Sequence, residues 1–122
     1  MRTRVATLGG SLLRPEVEDR HEWLIELCKA VNDVISSGYK LALVIGGGAP
    51  AREGIELARP ILNTNTEALD RIGIAATRLN ATIVAEALID TGNDVSPLIP
   101  INIQDAVKYS EKYSIVVMGG TK

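Results

Sequence analysis

Phenylalanine is absent from this 122-residue sequence, and tryptophan occurs only once. Flat surfaces on which single-stranded bases would stack are therefore scarce. Cysteine is nearly missing too. Cys28 stands alone, which excludes an internal disulfide, a cysteine-based metal cluster and a redox pair, and fits a reducing cytosol. Neither sign of charge is in excess: 13 Lys and Arg against 15 Asp and Glu leave a net charge of −2, too balanced for a nucleic-acid or membrane footprint. Any anion site must be local. The apolar run that ends at Gly9 is too short for a signal peptide or a membrane span, so the sequence reads as soluble and cytoplasmic. His21, the one histidine, lies between Arg20 and Glu22 with no partner at useful spacing and reads as a surface residue. The order Gly-x-x-x-x-Gly-Lys-Ser/Thr is also missing, and Gly120-Thr121-Lys122 has its last two residues reversed, which excludes a P-loop.

What the sequence does have is glycine in telling places. Leu41 to Ile45 is an apolar run without alternation, followed by Gly46-Gly47-Gly48, Ala49, Pro50, Ala51 and Arg52. A strand buried on both faces, a tight turn and a helix beginning near Pro50 are predicted. The first turn of a helix leaves N–H groups unpaired and carries the positive end of the helix dipole. Glycine lets an anion lie against those groups, and Arg52 adds a forked cationic donor. A negatively charged ligand follows, unless the triplet is only a sharp connection.

With 46% apolar residues, a chain of this length suits one domain that buries roughly two thirds of its unfolded surface. Val5 to Leu8 reads as a first strand ending at Gly9-Gly10-Ser11. Asp19 caps a helix to about Ser37, with Leu24, Leu27, Cys28, Val31, Val34 and Ile35 at helical spacing and Gly38 as terminator. Trp23 and Cys28 are read as packing. A short helix from Pro50 to about Arg59 stops at Pro60, and Thr66 caps a long helix with the stripe Leu69, Ile72, Ala76, Leu79, Ile83, Leu88, closed by Gly92. Asp94 to Ile99 is a weaker strand interrupted by Pro97. Asn102 caps a helix over Ile103 to Tyr109, and Ile115 to Met118 is a fourth strand running into Gly119-Gly120. Glu111 and Lys112 belong to a solvated turn. Alternating strands and helices predict an α/β fold: a mostly parallel sheet with helices on both faces and ligands at the carboxyl ends of its strands.

Taken together, Thr7-Leu8-Gly9-Gly10-Ser11, Val44-Ile45-Gly46-Gly47-Gly48 with Ala51-Arg52, Leu69-Asp70-Arg71-Ile72-Gly73-Ile74 with Thr77-Arg78-Leu79-Asn80-Ala81, and Val117-Met118-Gly119-Gly120-Thr121 resemble the amino acid kinase family, and within it the archaeal-type uridylate (UMP) kinases. The resemblance implies a three-layer αβα sandwich, present here incompletely: residues 1–122 as the nucleoside monophosphate-binding part, without the ATP-binding second half. It implies transfer of the γ-phosphoryl group of ATP, accompanied by Mg2+, to UMP, giving UDP in pyrimidine biosynthesis. Gly9, Gly10 and Ser11 would meet the ATP phosphates, with Gly47, Gly48 and Arg52 on the phosphate side. Gly46, Gly47, Asp70, Gly120 and Thr121 would hold UMP, Asp70 through the ribose hydroxyls. On its residues alone Asp70 reads as a solvated carboxylate at a helix start rather than as a ligand group. Thr7 stands where the family usually has Lys or Asp, so the charge-stabilising catalytic residue is not identified. No resident protein-bound metal is implied. A hexamer built from dimers is implied for the complete enzyme.

Two other readings stay open. A non-catalytic nucleotide- or oxyanion-binding member of the same fold would use the glycine loops without transferring anything. A dinucleotide-binding domain is suggested because Gly46-Gly47-Gly48-Ala49-Pro50-Ala51 satisfies G-x-G-x-x-G/A, but that fingerprint belongs to an opening βαβ unit with an acidic residue ending the next strand, not to a turn followed by a long helix.

Overall fold

A computed structural model of the chain describes residues 2–9, 20–62 and 65–120. Three strands, β1 (Thr3–Leu8), β2 (Lys40–Ile45) and β3 (Ile115–Met118), form one sheet in the order β1-β2-β3. β1 pairs with β2 from Thr3 opposite Lys40 to Leu8 opposite Ile45. β2 pairs with β3 from Leu41 opposite Ile115 to Val44 opposite Met118. Both pairings are parallel, so all three strands finish at one end of the sheet. Helix α1 (Arg20–Ser36) links β1 to β2; α2 (Gly48–Leu62), α3 (Thr66–Asp90) and α4 (Ile103–Lys112) lie between β2 and β3.

Side chains alternate along a strand, and the two faces of the sheet differ. Leu41, Leu43, Ile45, Ile115 and Val117 share one face and form a single core with Cys28 and Val31 of α1 and Ala81, Val84, Ala85 and Leu88 of α3, with Trp23 packed against it. On the opposite face Val116 and Met118 are buried, Ala42 and Val44 are half-buried, and Val5 and Thr7 are exposed. Burial on both faces thus holds for β3. It fails for β2, because α1 and α3 both meet it on the Leu41-Leu43-Ile45 side.

β1 begins two residues earlier than predicted, at Thr3, and α4 continues through Glu111 and Lys112, which the sequence places in a turn; beyond these the predicted elements are present with four corrections. α2 begins two residues before Pro50 and runs past Pro60 to Leu62; a proline so near a helix end removes one bond but leaves the last turn room to close. The cap of α3 is Asn65, whose side chain accepts from the N–H of Ala68 at 3.0 Å, rather than Thr66. The predicted strand over Asp94 to Ile99 contributes one bridge, Val95 to Ile115. Pro97 has no N–H to continue it, and Ser96 Oγ turns the chain by donating to Leu98 O and accepting from Leu98 N–H. The apolar stripe of α3 holds at Leu69 and Leu88, which are buried, and is displaced between them: Leu79 and Ile83 are exposed, while Asn80, Ala81, Val84 and Ala85 face inward. The small side chains of Ala81 and Ala85 allow close contact with the sheet, and that contact outweighs the larger residues next to them. By length and composition α3 would also suffice to cross a membrane; here it lies over β2 and β3 and beside α2.

α4 has the predicted cap. Asn102 is extended and its Oδ1 accepts from Asp105 N–H at 2.8 Å. None of the residues of α4 is fully buried; besides the cap, the helix is held by its packing on β3 and by Lys40 Nζ, which donates to Ser110 O at 2.6 Å. Asn102→Ala is expected to destabilise the chain by about 1 kcal/mol, read as a lower urea midpoint with an unchanged slope.

Candidate functional site

The residue that follows each strand is glycine: Gly9, Gly46 and Gly119. Because the sheet is parallel and in register, these three tips lie together at its carboxyl end. Gly46 N–H donates to Leu8 O at 2.8 Å, joining the first two. Gly48, with φ +55, opens α2; only the left-handed region lets the chain turn from strand to helix this sharply, and glycine enters it at little cost. Arg52 is exposed at the fifth position of α2, a little further from the helix start than predicted. No acidic residue lies in the first turn of that helix, so its positive end is left to attract an anion.

What a Cβ would touch separates the glycines. At Gly9 it would meet nothing within 4 Å. At Gly47 it would come 2.6 Å from Ala51 Cβ and 3.4 Å from Thr77 Cγ2. At Gly119 it would strike Thr77 Oγ1 at 2.5 Å, Thr77 C at 2.8 Å and Arg78 N at 2.9 Å. The β3 tip is therefore pressed onto one turn of α3, the β2 tip lies in ordinary contact with the same turn, and Thr77 touches both.

Thr77 also lines a cleft of about 520 Å³ between α2 and α3, with Ile55, Arg59, Asp70, Gly73 and Ile74. That volume is within the range of about 300–1,000 Å³ typical of small-ligand sites. Asp70, Gly73, Ile74 and Thr77 recur at spacings of three and four and so share one face of α3. The exposed carboxylate predicted to meet a ribose thus opens onto the same cleft as the residue that touches the glycine tips.

Of the other residues named from sequence, Gly120 is present at the β3 tip, but its N–H already donates to Thr77 Oγ1 at 2.6 Å, while the Thr77 hydroxyl donates to Ile74 O at 2.6 Å. Thr7 is exposed near the end of β1, paired with Val44. Gly10, Ser11, Thr121 and the Asp19 cap lie outside the described residues. His21 is exposed, and Glu111 and Lys112 sit at the end of α4. Periodicity passed over Thr77 and Asn80, because it counts apolar residues and these are polar positions turned inward. The available signal was an asparagine and a threonine amid alanines on an otherwise apolar helix. Asn80 Nδ2 donates to Gly46 O at 2.9 Å and Gly47 O at 3.0 Å.

Parallel strand tips bearing glycine, a helix N-terminus beside them and a cleft alongside define an open α/β protein, a class in which ligands bind at the carboxyl ends of the strands. The family can be stated more closely. The sequence profile of the amino acid kinase family matches residues 2–121, and the chain belongs to that family. It is 38% identical over 117 residues to a uridylate kinase of Methanococcus maripaludis, covering 96% of this chain and 50% of that protein. It is 36% identical over 119 residues to a uridylate kinase of Methanobrevibacter smithii, covering 97% and 49%. The crystal structure of uridylate kinase from Archaeoglobus fulgidus superposes with a TM-score of 0.82 at 36% identity, over 100% of this chain and 51% of that one. Aspartate kinase from Synechocystis, at 13% identity and a TM-score of 0.68 over 97% of this chain and 21% of that one, shares the fold. The chain spans about half the length of the curated relatives it matches. The dinucleotide-binding reading gives way to this family assignment.

Proposed function

We propose that this chain forms the UMP side of a cytoplasmic UMP kinase, in which the γ-phosphoryl group of Mg–ATP is transferred to UMP to give UDP. The observation that carries this reading is the junction at Thr77, where two glycine strand tips and the cleft holding Asp70 meet. In such a transfer the protein does little covalent work; it aligns two nucleotides and offsets charge on crowded oxygens. Gly46, Gly47 and Gly48 with the start of α2 would receive the UMP phosphate and the transferring group, and Asp70 would accept hydrogen bonds from the ribose hydroxyls. Gly9, with open space around it, suits approach of the ATP phosphates, together with Gly10 and Ser11. Gly120 and Thr121 would border the UMP phosphate, and Arg52 would supply the cation that Thr7 does not. Mg2+ would enter on the ATP oxygens, as is usual for this ion in phosphoryl transfer. We also propose a homo-oligomer, a hexamer for the complete enzyme.

Calorimetric titration of the 122-residue chain with UMP and with uridine tests the reading. UMP should bind and uridine should bind more weakly. Arg52→Gln should weaken UMP about tenfold, about 1.4 kcal/mol, and leave uridine unchanged. Equal affinity for the two ligands would remove the phosphate site from the proposal. Addition of Mg–ATP then separates transfer from simple binding, since a non-catalytic oxyanion binder of this fold retains UMP without forming UDP.

A further inference from the structure

Asn80 is 1% exposed, in the middle of a helix face otherwise made of alanine, valine and leucine. A buried polar side chain in such surroundings is costly unless it is fully used, and its Nδ2 is used: it reaches Gly46 O at 2.9 Å and Gly47 O at 3.0 Å. The amide has two N–H donors, one for each carbonyl, and rotating it by half a turn would set its own oxygen against two others. Its orientation therefore has one solution.

The consequence lies on the other side of the turn. The chain has no cis peptide bond among the described residues, and in a trans peptide the C=O and the following N–H point in opposite directions. Holding the carbonyls of Gly46 and Gly47 on Asn80 turns the N–H groups of Gly47 and Gly48 away from α3, at the start of α2. Gly46 N–H is already committed to Leu8 O. One turn earlier on α3, Thr77 holds the β3 tip through Gly120 N–H.

We propose that Asn80 is a positioning residue for the phosphate turn: it touches no ligand, but sets the direction in which Gly47 and Gly48 present their N–H groups to a phosphate. Thr77 anchors the neighbouring tip by the opposite arrangement, accepting from the Gly120 N–H. The proposal rests on the phosphate reading given above, and its test separates the two.

The experiment is a UMP titration of the 15N-labelled 122-residue chain, unmodified and as Asn80→Leu, which is uncharged, similar in volume and has no donor. The variant should bind UMP at least tenfold more weakly. Before any ligand is added, its Gly47 and Gly48 amide signals should be displaced while those of Leu88 and of Val31 in α1 stay in place, a pattern that general loosening of the core would not give. An affinity within twofold of the unmodified chain overturns the proposal. The unmodified chain supplies a second measurement that needs no variant to fold: the Asn80 side-chain NH2 signals should move with UMP in step with the Gly47 and Gly48 amides, and NH2 signals unmoved at saturating UMP overturn it equally. If the unmodified chain binds no UMP, the phosphate reading fails. The ligand-free signals of Asn80→Leu then decide the positioning role alone, displacement of Gly47 and Gly48 sustaining it and coincidence with the unmodified chain overturning it.

Discussion

Gly119→Ala should cost about 3 kcal/mol of stability, at the upper end of what overpacking by one methyl group does. The added carbon would lie 2.8 Å from Thr77 C and 2.9 Å from Arg78 N. These are backbone atoms of a regular helix and have no rotamer to retreat into, so β3 or α3 must shift. Both carry core residues, Val117 on one side and Ala81 and Val84 on the other, and the shift spreads. Domains of this kind are stable by only about 5–15 kcal/mol, so a urea midpoint shift of this size is plainly measurable. Gly9→Ala is the matched control. A Cβ there meets nothing within 4 Å, and stability should stay within about 0.5 kcal/mol of the unmodified chain. Similar losses at both positions would mean that the β3 tip is not pressed onto α3.

Leu88→Ala is expected to cost a comparable amount, about 2–5 kcal/mol. Leu88 is 0% exposed and packs in the cluster that joins α1, β2, α3 and β3; its removal leaves a cavity that elements held from several sides fill only partly. Leu79→Ala, on the same helix but at a side chain 57% exposed, should change stability by no more than about 0.5 kcal/mol. The pair measures which way α3 is turned. Equal costs at the two leucines would return the buried face to the stripe read from sequence.

That stripe shows where sequence reading stops. β1, β2 and β3 were legible because each is a compact apolar run ended by glycine, and α1 because one stripe dominates it and Gly38 turns at φ +90. The Asn102 cap was legible from local chemistry alone. α3 offers two adjacent stripes, one rich in leucine and isoleucine and one rich in alanine. The sheet takes the second because backbone proximity is worth more there than side-chain bulk, and a sequence does not reveal that partner. Asp70 was found through family likeness and lies in the cleft. Thr77 and Asn80 were quoted within a motif without a role, because their work is to hold backbone in elements far away in the chain, Asn80 bonding across 33 and 34 residues and Thr77 across 43.

One rod, α3, bears Asp70, Thr77 and Asn80 together. An α-helix neither stretches nor bends easily, and at 1.5 Å per residue the rise from Asp70 to Asn80 is about 15 Å. On the proposed reading, the spacing between the ribose contact at Asp70 and the residue that holds the phosphate turn, Asn80, is thus ruled off along a single piece, as graduations are on a gauge, and does not depend on how separate loops settle. Inserting one residue between them would add length and rotate everything beyond it by about 100°, disconnecting the two ends even in a chain that still folds.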